Sequence, residues 1–131
     1  MNDLIVKLIA IKETAKGIHY NCKGKEAYSM HLLADRVAEN IDDYIDSCKE
    51  SILGSDEYPL QSSKYLFEAT KLIPIIEPGD NIQNFALLYE LINNTLKYID
   101  SMQVDKADEN LIGNIAENLK NSKALINLQI S

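Results

Sequence analysis

Apolar residues recur at intervals of three and four along four separate stretches of this chain, and almost nowhere do they alternate with the two-residue period of a strand. That pattern restricts the fold class to all-α. Leu4, Leu8, Ile11, Ala15 and Ile18 form a stripe that predicts a first helix over about residues 3 to 21, followed by a tight connection through Gly24. Ala27, Met30, Ala34, Val37, Ile41, Ile45, Cys48 and Ile52 predict one long second helix from about Lys25 to Leu53, with Gly54 ending it. Asp80 is placed to cap a third helix with Ile82, Phe85, Tyr89, Ile92, Leu96 and Ile99 inward. Asp105 is placed to cap a fourth, with Leu111, Ile115, Leu119, Ser122 and Ile126 inward. Between the pairs lies a linker from Gly54 to Gly79, punctuated by Pro59, Pro74 and Pro78, whose middle, LQSSKYLFEATKL, predicts a short helix of its own. Two helix pairs joined by one long crossover form the ferritin-like four-helix connectivity.

The chain has the length of one domain, 131 residues. Its 20 acidic against 13 basic residues, a net charge of −7, argue against DNA binding held by charge and make cations the natural partners. Cys22 and Cys48 lack CxxC spacing and are expected to be free thiols in a reducing compartment. The opening stretch MNDLIVKLIAIKETAKG interrupts its apolar run with Lys7, Lys12 and Glu13 and shows no small-residue cleavage pattern. Neither a leader nor a membrane span is expected there, and the cytoplasm is the expected location.

On an ideal second helix, His31, Asp35, Glu39, Asp42, Asp46 and Glu50 share a stripe roughly 100° wide beside the apolar one. Such a seam is either the solvated side of an acidic amphipathic helix or a set of metal ligands. Helix rise decides what a ligand set would require. His31 and Asp46 are separated by about 22 Å of helix, so they cannot meet on one ion within a chain. His19, near the start of the second helix, is as far from Asp46. A second subunit can unite them. When two such helices pair antiparallel about a twofold axis, facing positions have a constant index sum, and His31 with Glu50 and Asp35 with Asp46 both add to 81. An isologous dimer would hold two identical clusters of imidazoles and carboxylates. Two imidazoles, three carboxylates and no thiolate suit Fe(II), Mn(II) or Zn(II), and open carboxylate-rich coordination favours redox-active iron. The bundle-core di-iron site of other ferritin-like proteins needs Glu-x-x-His, whereas Tyr28 and Lys16 stand three residues before His31 and His19.

The run His19-Tyr20-Asn21-Cys22-Lys23-Gly24, then His31, Asp35, Asp46 and Glu50 without insertion, resembles the Dps family of miniferritins. Its members carry H-W-N-x-x-G, a His twelve residues after the first, and D-x-x-x-E on the same long helix. Pro59-Leu60 with the helical LQSSKYLFEA resembles the family's small crossover helix, and KADENLIGNIAENLKNSKALI its last helix. The resemblance implies His19, Asp46 and Glu50 as principal iron ligands, with His31 and Asp35 completing or supporting a weaker second position. It also implies a hollow dodecamer that oxidises Fe(II) at twofold interfaces, usually with hydrogen peroxide, and stores the ferric product. Tyr20 replaces the family's Trp, and the chain contains no Trp, so any radical-trapping role of that indole falls to tyrosines such as Tyr20 or Tyr28, or is lost. The basic terminal extensions with which some relatives hold DNA are missing from the residues before Lys12 and up to Ser131, so DNA binding is not expected.

Some features read two ways. Asp105, Asp108 and Glu109 either line an acidic iron-access pore or cap the last helix. Cys22 is either a redox-sensitive thiol beside His19 or an inert buried one. Tyr58, Tyr65, Phe67 and Tyr89 are expected to pack in the core. Against the ferroxidase stands a ferritin-like structural or cargo protein whose site holds a fixed ion such as zinc, or none.

Overall fold

The first helix is apolar on more than one side. A computed structural model describes residues 1–131, in which α1 (Asn2–His19) buries Leu4, Ile5, Val6, Leu8, Ile9, Ala10 and Ile11 in unbroken or near-unbroken sequence. A helix buried in this way needs neighbours on several flanks. α1 packs against α2 (Ala27–Ala38), α3 (Ile41–Gly54), α4 (Ser62–Thr70) and α5 (Asn81–Ser101), while α6 (Lys106–Ile130) closes the far side against α2, α3 and α5. The result is an all-α bundle with no strand. One continuous core cluster of 27 buried residues draws on all six helices.

Contacts between side chains fix the directions. Lys12 reaches Asp42 and Lys16 reaches Asp35, so α1 runs antiparallel to the rod formed by α2 and α3. Gly79 N donates to Asn21 O at 2.8 Å, and Lys7 lies over the Tyr98 ring, so α5 begins where α1 ends and runs back along it. Ser51 Oγ donates to Asp108 at 2.6 Å, and Gln129 Nε2 donates to Glu26 at 3.2 Å, so α6 runs antiparallel to α2 and α3. Neighbouring rods are therefore antiparallel throughout, in up-down-down-up order, and the long crossover between α3 and α5 makes that order possible.

The crossover is fastened at both ends. In α4, Tyr65 is buried; its hydroxyl donates to Asn2 Oδ1 at 2.6 Å and accepts from Leu60 N at 3.0 Å. At the other end Asn84, also buried, exchanges hydrogen bonds with the Glu77 main chain. Gly79 adopts φ +82, and a Cβ there would lie 3.2 Å from the Lys23 side chain. Asn81 also bonds to both main-chain groups of Lys23. The short α1–α2 turn is thus clamped to the start of α5, which holds the end of α1 in place.

Three expectations are corrected here. The second helix is not continuous: it ends at Ala38, Glu39 is extended (ψ 139) and Asn40 is left-handed (φ 69) before α3 starts at Ile41. Asn is one of the few residues that tolerates this conformation, and Asp42 and Asp43 in the first turn of α3 favour a helix start through the dipole. Ile82, expected inward, is 62% exposed. The buried stripe of α5 instead runs through Phe85, Leu88, Ile92, Thr95 and Ile99, a spacing of three and four that leaves Ile82 on the outside of the first turn. Tyr58 and Phe67, expected in the core, are exposed: Tyr58 lies in the connection before α4, and the inner side of α4 is taken by Tyr65 and Ala69.

Replacing Asn40 tests the break. Asn40→Gly should leave stability unchanged or slightly higher, whereas Asn40→Val should cost about 1–2 kcal/mol, because a β-branched residue meets the steric penalty of the left-handed region. Chemical unfolding of the two variants measures the difference.

Candidate metal centre

His19 is the last residue of α1, and His31 lies one turn into α2. The clamped turn between them brings the two rings into a stack, with centroids 3.5 Å apart and planes 18° off parallel. Each ring is tied to the other's main chain: His19 Nδ1 donates to His31 O at 2.8 Å, and His31 Nδ1 donates to His19 O at 2.6 Å. A carbonyl oxygen only accepts, so Nδ1 carries the proton in both rings and the neutral imidazole keeps its lone pair on Nε2. Metal-binding histidines are characteristically oriented by this kind of bond from the other ring nitrogen. Both rings are half-buried and border an open depression of about 420 Å³ shared with Tyr20, Cys22, Ala27 and Tyr28. Tyr20 meets His19 edge-on at 4.8 Å, and Tyr28 lies near-parallel to His31 at 6.5 Å.

The carboxylates lie along the same flank. Asp35, one turn beyond His31, is exposed and accepts from Lys16 Nζ at 3.3 Å. Past the break, Asp42 accepts from Lys12 Nζ at 2.9 Å. Burial would lower the Lys12 pKa, but the hydrogen bonds and charges of Asp42 and, after it, Glu13 together outweigh it and hold the ammonium above its ordinary range. His19, Lys16 and Lys12 on α1 therefore meet His31, Asp35 and Asp42 in turn, and the acidic flank continues across the break at Asn40. Farther along α3, Asp46 is exposed beside a groove lined by Ile9, Lys49, Tyr65 and Leu66, and Glu50 is exposed one turn later.

Within one chain, then, only His19 and His31 of the five expected ligands come together. Asp35 follows on the next turn, while Asp46 and Glu50 sit on the far half of the rod. No three His, Cys, Asp or Glu side chains of the chain are grouped so as to hold a metal ion. The residues buried between the rods include no carboxylate and no imidazole; their polar members are Thr14, Asn84, Thr95 and Ser122.

Lys12 and Lys16 were not singled out from the sequence as partners of this flank. Their signal was available: 12, 16 and 19 follow the helical spacing of one face and face 42, 35 and 31 in the reverse order. At the other end of the bundle, Asp105 Oδ1 accepts from Asp108 N at 3.1 Å and caps α6, while Asp108 itself is held by Ser51. Neither cysteine is activated. Cys22 Sγ donates to Ile18 O at 3.1 Å, and burial pushes its pKa up. Burial pushes Cys48 up to about 11; the chain's ammonium terminus lowers it in part and Asp108 raises it.

No family model matches this chain, and no curated protein matches it in sequence. No helix is long and apolar enough to cross a membrane.

One measurement bears on this flank and another on the buried thiol of α3. Nitrogen-15 NMR of the two histidines should show both neutral rings protonated at Nδ1, and a dominant Nε2–H form in either would contradict the reciprocal bonding. Alkaline unfolding probes Cys48. Its folded pKa, about 11, lies above its ordinary 9.0, so it contributes stability below pH 9 that is lost as pH rises through 11. The shift corresponds to roughly 2–3 kcal/mol. Wild type should therefore lose more stability across that window than Cys48→Ala.

Proposed function

We propose that this chain is an iron-sequestering miniferritin of the Dps type, an enzyme that binds Fe(II) at a ferroxidase centre shared between two subunits. In this reading His19 of one subunit joins Asp46 and Glu50 of its partner, with His31 and Asp35 at a second, weaker position. The observation that carries the reading is the reciprocal His19–His31 pair, which fixes both tautomers and leaves both Nε2 lone pairs as the remaining donors. Two imidazoles with carboxylates and no thiolate form a donor set suited to Fe(II), and also to Mn(II) or Zn(II).

The chemistry balances with hydrogen peroxide as oxidant. Two Fe(II) ions each give up one electron, the O–O bond of the peroxide breaks, and two protons are taken up to yield two waters and two Fe(III). Carboxylate ligands favour the product because they stabilise the higher charge. Tyr20 and Tyr28, whose rings flank the imidazoles, stand where the family's indole function would fall. The resemblance further implies closure of twofold dimers into a hollow dodecamer that stores the ferric mineral in the cytoplasm. A net charge of −7 supports a role with cations rather than DNA.

A second reading, a ferritin-like structural or cargo protein with a fixed zinc ion or a non-catalytic site, is favoured by one observation. Lys16 already occupies Asp35 and subtracts a carboxylate from the set available to iron. Ferric absorbance after adding Fe(II) and peroxide separates the two. The wild type should oxidise iron well above the buffer rate, and His19→Ala/Asp46→Ala should fall back to it. Stoichiometric zinc that peroxide leaves untouched, with oxidation no faster than buffer, would establish the second reading instead.

A further inference from the structure

The end of α1 is closed by groups that lie beyond it. A helix leaves its last carbonyls without intrahelical donors. Here Gly17 O accepts from Asn21 Nδ2 at 2.6 Å, Ile18 O from Asn21 N at 3.0 Å and from Cys22 Sγ at 3.1 Å, and His19 O from His31 Nδ1 at 2.6 Å. The turn after α1 thus serves two of these three acceptors, and the histidine pair serves the third. Asn21, which does most of that closing, is itself held from the far helix: its own carbonyl accepts from Gly79 N at 2.8 Å.

Asn81, the first residue of α5, completes the hold. Its Oδ1 accepts from Lys23 N at 3.1 Å and its Nδ2 donates to Lys23 O at 2.5 Å. It is the only side chain from another helix that bonds the main chain of residues 21–25. An amide presents a donor and an acceptor side by side; a carboxylate would set an oxygen against Lys23 O, and a methyl group would leave both main-chain groups empty. Gly79, at φ +82, lets the Lys23 side chain lie 3.2 Å from where a Cβ would stand. Hydrogen bonds therefore lead from the start of α5, through the turn, to the last carbonyls of α1, where His19 O meets the ring of His31.

We infer that Asn81 is a positioning residue for the histidine pair: by fixing the main chain of the turn, it holds His19 O and His31 O where each Nδ1 can donate, and so keeps both Nε2 lone pairs free for a metal ion. The reciprocal bonds, at 2.8 and 2.6 Å, are at or below the short side of the usual N–H···O range, so a slip of about 1 Å between the end of α1 and the start of α2 breaks them. Asn81 touches neither ring. Its meaning for catalysis rests on the metal centre proposed above; its effect on the rings does not.

Nitrogen-15 NMR of the metal-free chain, at a pH where both rings are neutral, tests this. The wild type should be chiefly Nδ1–H in both rings. In Asn81→Ala the ratio of Nδ1–H to Nε2–H should fall roughly fivefold, the equivalent of one neutral hydrogen bond. Gly79→Ala displaces the same turn without removing a side-chain bond; it should shift the ratio in the same direction, and it decides the matter if Asn81→Ala does not fold. Tyr65→Phe loosens the crossover at the other end of α1 and should leave both rings as they are in the wild type. Wild-type tautomers in folded Asn81→Ala, or in Gly79→Ala standing in for it, would overturn the inference. So would an equal shift in Tyr65→Phe, because any loss of stability would then suffice, and so would a wild type that is not chiefly Nδ1–H. Parallel Fe(II) oxidation separates the two proposals. Tautomers that shift as expected in a protein that oxidises iron no faster than buffer keep the positioning role and remove the ferroxidase; rapid oxidation with rings indifferent to Asn81 does the reverse.

Discussion

α1 has apolar residues on several flanks, and the placement of the other helices follows from covering them. Leu4, Leu8, Ile11, Ala15 and Ile18 make the stripe expected of any amphipathic helix, but Ile5, Val6, Ile9 and Ala10 are buried as well. An aliphatic side chain contributes about 1.5–3 kcal/mol when buried, so leaving this second set in water would be costly. The α2–α3 rod covers one flank, α5 another, and the crossover helix α4 the N-terminal part, tied down by the Tyr65 hydroxyl on Asn2. Beyond Asn2, Asp3 and Lys7 near its start, Lys12, Glu13, Lys16 and the end of α1 remain for polar work. The helix that organises the core thus also supplies His19 and the cations that meet the acidic flank.

Because rods that neighbour each other run antiparallel, polar residues on α1 meet those on the second rod in reverse order. The His19–His31 pair, the Lys16–Asp35 pair and the Lys12–Asp42 pair are successive contacts of one seam. The ion pairs are solvent-exposed and contribute little, typically below about 1 kcal/mol each. The histidine pair is of another kind. One of its two charge-neutral bonds runs to His19 O at the C-terminal end of α1, where the helix leaves carbonyls open, the other to His31 O inside α2, and together they fix the orientation of both rings.

Much of this was legible in the sequence, for reasons that can be named. The all-α class, the short helix in the crossover and the Asp105 cap follow from period, proline placement and side-chain chemistry, which are local. The split of the second rod was not read, because Ala34, Val37, Ile41 and Ile45 keep a helical spacing straight across it. Apolar period reports which residues face the core, and the rod can stay against the core on both sides of a break. The residues Asn40-Ile41-Asp42-Asp43 did carry a helix-start pattern, with acids in a first turn. Ile82 is exposed because the buried face of α5 runs through Leu88 and Thr95 rather than Tyr89 and Leu96, rotated from the apolar stripe, and both faces fit the same period. The pairing of His19 with His31 could be expected from a short turn, but the direction of their Nδ1 bonds is a property of packing, and it is what fixes the tautomers.

The break also bears on how a shared centre could be built. A straight rod with ligands at both ends would touch a straight partner over only a limited length, since helices cross at an angle when their side chains interlock. A rod broken near its middle has two halves that can each take their own crossing angle to a partner. With the break beside the midpoint of the His31–Glu50 and Asp35–Asp46 register, the twofold of the proposed dimer would relate one half of the rod to the other half of its copy, so any tilt that suits one ligand cluster would be repeated at the second. In the proposed dimer the backbone of Asn40, in its left-handed conformation, would therefore act on both metal clusters at once, although its side chain belongs to neither.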